Sequence, residues 1–307
     1  MTRTLVSEEV LHWNLLTGVF TPGKVFYVDS GGSNSNSGLL PSDPFATVTY
    51  AISKCTTSQG DVVQLLGNSP SSPTDAGLFP IVVDKNNITI RGLLSNGLLS
   101  DSGLASDGAD EACFEINAHY VTIEDLYLGC QGTGGNTVSG IIDGHSSVAY
   151  WGFTLRRCML GIQGSSKYGI AGKSGIGPYL LIEDCVFGRG KSTNWFTTAA
   201  IAIPDNATGG IIRNNYITGG TIGISIAGTA VDIRIIDNHI QMYSDGKGAG
   251  ITIGSGSGSG IYVAGNHASF GSAADENVPY VDDNTADANT WGQNWAQEAV
   301  QFPTTSA

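Results

Sequence analysis

One short pattern recurs through the middle of this chain and constrains its fold more than any other feature. It reads apolar, any residue, apolar, polar, polar or glycine, then one characteristic residue. Copies run from Ile88 to Leu93, Val121 to Leu126, Phe153 to Cys158 and Leu180 to Cys185, and three more end in Asn215, Asn238 and Asn266. The end residues Leu93, Leu126, Cys158, Cys185, Asn215, Asn238 and Asn266 are separated by 33, 32, 27, 30, 23 and 28 residues. A second series of short apolar segments starts at Gly140, Gly169, Ala200, Gly223 and Gly250, with separations of 29, 31, 23 and 27. Two series sharing one variable period describe a coil of several short strands per turn, with length differences absorbed in loops. The apolar spacing is two residues and not 3.6, so the repeat is built of strands. A period this short does not fit a propeller blade.

Registering the copies sorts the side chains by face. Ile90, Ile123, Leu155, Ile182, Ile212, Ile235 and Val263 point inward. The next column outward reads Arg91, Glu124, Arg156, Glu183, Arg213, Ile236 and Ala264. Its first five members alternate in sign, and an arginine between two carboxylates about 4.8 Å away is expected to pair with both. The expected role is an exposed register-fixing ladder worth at most ~1 kcal/mol per pair. The alternative is an acidic catalytic groove with a basic partner. Stacked Asn215, Asn238 and Asn266 are expected to hydrogen-bond along the coil axis. Cys158 and Cys185 fall on neighbouring turns as buried fillers, with a disulfide as the alternative.

Before and inside this repeat, Val25 to Asp29, a polar loop to Gly38, Asp43 to Thr47 and Gly60 to Leu65 form a strand, turn, short helix and first rung. Phe45, Val48 and Ile52 stand at helical spacing, so a helix over 45–54 is expected to cap the open end of the coil. Together these segments resemble the right-handed parallel β-helix of pectate lyases, pectinases and phage tailspikes, over roughly residues 60–270. The resemblance implies an all-β solenoid, organised as residues 1–24, a docking or capping helix segment; 25–60, strand, loop and cap; 61–272, the β-helix; and 273–307, an irregular acidic, aromatic tail. It implies either a virion surface protein (spike, fibre or capsid decoration subunit, homotrimeric and in contact with other virion proteins or host glycans) or a polysaccharide lyase or glycosidase. For a lyase, it implies calcium-assisted proton abstraction with Arg156 or Arg157 as base.

Composition narrows the functional classes. Formal charge is 14 − 27 = −13, which argues against nucleic acid as a partner. No apolar run is long enough for a transmembrane helix. The first residues lack the apolar stretch of a secretory signal, so a protein made in the cytoplasm and carried in a virion is expected, with a secreted protein whose signal was removed as the alternative. Residues 5–17 are a candidate amphipathic helix with Ser7 as N-cap. Five cysteines without a C-x-x-C pair encode neither a complete disulfide framework nor a zinc ribbon.

Chemistry-bearing residues are few. Gly172-Lys-Ser and Gly190-Lys-Ser lack the leading glycine of a phosphate loop, whose place is taken by Lys167 and Cys185. The histidines show no metal-ligand spacing. Asp143 and His145, with Asp205 two coils on, form one cluster suited to acid–base work. Alignment on the Gly-Ile segments puts Gly172 and Ile203 opposite Asp143, which leaves it without a registered partner. Asp29, Asn34 and Asn36 are the candidate ligands for calcium in the polar loop; no other cofactor is expected.

Overall fold

The computed structural model describes residues 23–67, 75–93, 102–106, 110–130, 136–161, 166–188, 196–205, 207–242, 248–256, 258–270, 278–284, 289–296 and 299–301. The helix expected at 5–17 lies outside them. Among the described residues the chain forms a parallel β-helix of three sheets with ten, nine and eight strands. Each coil visits them in a fixed order. A strand of the first sheet, such as Thr122–Glu124, is followed by one of the second, Tyr127–Cys130, and then one of the third, Asn136–Gly144.

The inward columns are continuous apolar stacks. In the first sheet Val63, Ile90, Ile123, Leu155, Ile182, Ile212, Ile235 and Val263 lie in register and are fully buried. Phe114, Ile142, Ile170, Ile201, Ile224, Ile251 and Tyr280 do the same in the third. Burial of each such side chain stabilises by about 1.5–3 kcal/mol. The core therefore grows by a fixed increment per coil, as a solenoid requires.

The corner between first and second sheets fixes the register. Asn215, Asn238 and Asn266 are buried there. The backbone N–H of Asn215 donates to Asn238 Oδ1 at 3.1 Å, that of Asn238 to Asn266 Oδ1 at 3.0 Å, and that of Asn266 to Asn294 Oδ1 at 3.0 Å. The column extends toward the N-terminus through other acceptors. Cys185 N–H donates to Asn215 Oδ1, and Cys158 N–H to Cys185 Sγ at 3.5 Å. Cys158 and Cys185 are free, buried thiols, and burial, then the neighbouring Cys185, pushes the Cys158 thiol well above its ordinary pKa. From Leu126 to Asn266 the residue before each ladder position is left-handed: φ is 58° at Asp125, 51° at Arg157, 54° at Asp184, 53° at Asn214, 56° at Asp237 and 72° at Gly265. Asp, Asn and Gly tolerate that region best, which accounts for most of the column.

Both ends differ from the sequence expectation. The helix, α1, is shorter, Val48–Lys54, because Thr47 is its N-cap and accepts the Tyr50 N–H. The fully buried Asp75 carboxylate also accepts from Val48 and Thr49 N–H, at 2.9 and 2.8 Å. A carboxylate at a helix N-terminus satisfies orphan donors and the helix dipole together. α1 buries Val48, Ala51 and Ile52 against the first coil. At the other end the coil runs on past residue 272. Val278–Asp282, Thr290–Trp291 and Asn294–Ala296 add one strand to each sheet, and Ala299–Gln301 returns antiparallel to Asn294–Ala296.

On the outer face of the second sheet, Tyr216, His239 and His267 stack with centroids 5.0 Å apart and planes within 2° and 9°. Burial, then the adjacent His267, holds His239 below the ordinary histidine pKa. A folded pKa below the unfolded one means the unfolded chain binds the extra proton first. The stack therefore contributes fully above about pH 6.5 and is lost as pH falls below it. The thermal midpoint is expected to drop between about pH 7.5 and about pH 5.5, and the drop should be smaller in His239→Gln, measured by circular dichroism.

Candidate functional site

The alternating column is a structural clamp. Gln64, Arg91, Glu124, Arg156, Glu183 and Arg213 lie in register on neighbouring strands. Sequence parity made these side chains exposed and each arginine doubly paired, and two corrections follow. Glu124 and Glu183 are only 4% and 11% exposed at the side chain, because the corner residues close over them. Pairing also runs one way. Arg156 Nε donates to Glu124 Oε2 at 2.5 Å and Arg213 donates to Glu183 Oε2 at 2.6 and 2.8 Å, whereas Arg91 donates to Gln64. Arg157 adds a bidentate grip on Asp125 at 2.6 and 2.9 Å and reaches Glu124 at 3.1 Å. That grip offsets the unfavourable left-handed backbone of Arg157. Arg156 and Arg157 are thus committed to carboxylates of their own sheet corner.

The four candidates for acid–base work are divided between two places. Asp143 is buried on the third sheet; its Oδ1 accepts the Gly140 N–H at 2.7 Å and its Oδ2 meets Lys173 Nζ at 2.5 Å. The expected register is off by one. Asp143 faces Ala171, which in turn faces Ala202, because the chain shifts between Ser166 and Tyr168 and Ile142, not Ile141, aligns with Ile170. On its other side Asp143 faces Glu115, so it does have an acidic neighbour in the adjacent coil. His145 is turned into its own loop, where Nδ1 accepts N–H bonds from Ser147 and Val148. Asp205 lies at a depression of about 400 Å³ lined by Lys173, Ser174, Pro204, Asp205 and Ala227. Lys173, which pairs with Asp143, thus lines the same depression as Asp205, a proximity hidden in the sequence inside a failed phosphate-loop motif.

In the polar loop Asp29 Oδ1 accepts the Gly31 N–H, Asn34 Oδ1 accepts the Ala46 N–H, and Asn36 Nδ2 donates to Pro44 O. Each of the three side chains is thus engaged with loop backbone. Among the described residues no three His, Cys, Asp or Glu side chains gather to hold a metal ion.

A more prominent feature sits on the turns between the third and first sheets, beside that depression. Here a second left-handed column falls six residues before each ladder residue: Asn87, Tyr120, Gly152, Tyr179, Gly209, Asp232 and Gly260, with φ between 55° and 76°. Tyrosine is poorly suited to this backbone, which costs roughly 1–3 kcal/mol where no local hydrogen bond compensates. Both tyrosines lie against the glycine of the following coil: a Cβ at Gly152 would meet the Tyr120 ring at 2.5 Å, and one at Gly209 the Tyr179 ring at 3.1 Å. Tyr120 and Tyr179 nevertheless remain 54% and 63% exposed as residues, and Trp151 between them is 47% exposed. His119 packs edge-on against Tyr150 and Trp151 at 5.2 and 5.9 Å, and Trp151 against Tyr179 at 6.3 Å. His119 Nδ1 accepts the Trp151 N–H at 3.0 Å, which leaves its proton on Nε2 as a donor.

No family model matches this chain, and no curated protein sequence does. Its fold is similar to that of a GH136 lacto-N-biosidase from Eubacterium ramulus. The selenomethionine derivative aligns at 12% identity and TM-score 0.50, over 95% of this chain and 70% of that one. The native crystal form gives 13% and 0.51, over 94% of this chain and 65% of that one, so this chain spans just under two thirds of its length. A rhamnogalacturonan lyase aligns at 16% identity and TM-score 0.50, over 89% and 74%. These likenesses extend to the parallel β-helix fold.

The clamp yields an asymmetric expectation. Glu124→Ala removes the buried acceptor shared by Arg156 and Arg157, leaving Arg157 its grip on Asp125, and should destabilise by ~1–3 kcal/mol. Arg156→Ala leaves Glu124 its contact with Arg157 and should cost ~1 kcal/mol or less, shrinking at high salt. Urea denaturation of both variants at low and high salt checks the contrast.

Proposed function

We propose that this chain is a glycan-contacting parallel β-helix that uses the Tyr120, Trp151 and Tyr179 corner as its binding platform. The observation that carries this reading is the exposure of tyrosine rings at two positions where glycine or asparagine would be less strained. Large rings kept half in water on a backbone that disfavours them are best explained by what they contact. Aromatic faces with O–H and N–H handles suit the apolar faces and hydroxyl edges of sugar rings. In this proposal the protein is a virion surface subunit, a spike, fibre or capsid decoration, and homotrimeric. Resemblance to phage tailspikes supports the virion setting, and the strand edges at the ends of the solenoid support self-association.

A second reading, a polysaccharide lyase or glycosidase, is favoured by the depression that brings Lys173 and Asp205 beside Asp143. The two readings separate in one experiment. In isothermal titration with a panel of linear oligosaccharides, binding is expected without release of reducing ends or unsaturated products. Trp151→Ala should weaken it about five- to thirtyfold, since stacking contacts of this kind are worth roughly 1–2 kcal/mol each. Absence of binding to every oligosaccharide contradicts the platform. Turnover abolished by Lys173→Ala or Asp205→Ala establishes the enzyme instead.

A further inference from the structure

We infer that the ligand of the aromatic corner is an uncharged linear glycan that lies along the coil axis, beside the Lys173–Asp205 depression. This inference rests on the proposed glycan-binding function and specifies its substrate class.

Direction follows from register. Tyr120 and Tyr179 occupy the same turn position two coils apart, so about 10 Å separates them along the axis at ~4.8 Å per coil. That is about the length of two linked sugar rings. Trp151 lies on the intervening coil and contacts the Tyr179 ring. The three rings thus form a row parallel to the axis, which favours an extended chain over a branched or compact sugar.

The depression lies beside the row, at the third-sheet end of the same set of turns. Ser174, in its lining, donates its backbone N–H to His145 O at 3.1 Å, and Tyr150 N–H donates to Gly175 O at 3.0 Å. A Cβ at Gly175 would lie 1.9 Å from His145 N, so these two turns pack without space between them. A chain stacked on Trp151 and Tyr179 therefore passes beside Lys173 and Ser174, with Asp205 on the next coil. At about 400 Å³, the depression is near the lower end of ligand sites and has room for about one sugar unit.

Charge sets the class. The protein carries −13 overall. On this stretch of surface Glu115, Asp143 and Asp205 stand with Asp232, which shares the turn column of Tyr120 and Tyr179. The cation of the depression, Lys173, is bound to Asp143 at 2.5 Å. A uronate-containing chain would bring carboxylates into this field and be repelled, whereas hydroxyl or acetamido groups find acceptors in the carboxylates and donors in Ser174 and Lys173.

Titration of the full chain with β-1,4-linked neutral oligomers (glucose and N-acetylglucosamine) and with galacturonate oligomers of equal length, at low and high salt, tests this. The neutral oligomers are expected to bind, and the galacturonate oligomers at least about tenfold more weakly at low salt, with the gap narrowing as salt rises. Asp205→Asn should improve galacturonate binding several-fold and so narrow the gap between the two oligomers. Equal or tighter binding of galacturonate, lost in Trp151→Ala, overturns the neutral class and leaves the platform standing. Binding of no oligomer, or binding indifferent to Trp151→Ala, overturns the platform and this inference with it.

Discussion

Everything in this molecule depends on keeping consecutive coils in register at the corner between the first and second sheets. The alternating apolar pattern forbids a slip by one residue, which would turn a whole inward column outward, but a slip by two residues keeps the same face inward. The asparagine column removes that freedom. Each amide accepts the backbone N–H of the preceding coil through Oδ1 and donates through Nδ2 to a carbonyl, such as Ile182 O, Ile212 O or Ile235 O. These are buried bonds that water cannot replace, so a shifted register would leave several donors and acceptors unsatisfied at once. The left-handed residue just before each ladder position from Leu126 to Asn266 gives the corner one shape in six successive coils. Toward the N-terminus, where Cys and Leu replace Asn, the arginine–carboxylate clamps at Glu124 and Glu183 lie beside the same corner and supply directional bonds there.

With the corner fixed, the rest of each coil is free to vary. Loop length differs from coil to coil, and the turns between the third and first sheets carry the residues that distinguish this chain from a plain solenoid. The same left-handed backbone that gives the ladder corner its shape recurs there, and two of its positions are occupied by tyrosine. The scaffold over-determines that backbone: Tyr120 N–H donates to Trp151 O, and Tyr179 N–H to Thr208 O and Gly209 O. Function on such a fold resides in a local cluster carried by a rigid frame, and the fold alone does not name it.

Much of the frame was legible in the sequence. Period-2 apolar triplets and a repeated end residue identified the inward columns and the ladder, because both are set by backbone geometry that recurs in every coil. What was not legible depended on relations without a period. Asp75 caps α1 from 27 residues away. The Gly-Ile segments looked equivalent, yet a local shift moves Asp143 one place and gives it Glu115 as a neighbour. Side-chain reach decided which carboxylate each arginine took, and burial of Glu124 came from the corner that folds over it. Two signals were present and unread. Asn294 stands 28 residues after Asn266, the same step as the previous one, and marks the last coil. A column of Asn, Gly and Asp six residues before each ladder residue is interrupted by two tyrosines, and that departure marks the candidate site.

Hydrogen–deuterium exchange on the full chain, with and without a neutral β-1,4-linked oligosaccharide, tests this account most directly. Slow exchange along the ladder should be the same in both states. Added protection should be confined to the turns holding Tyr120, Trp151, Lys173 and Tyr179. Protection that appears instead on the outer face of the second sheet, around Tyr216 and His239, or a ladder that exchanges as fast as the turns, would contradict it.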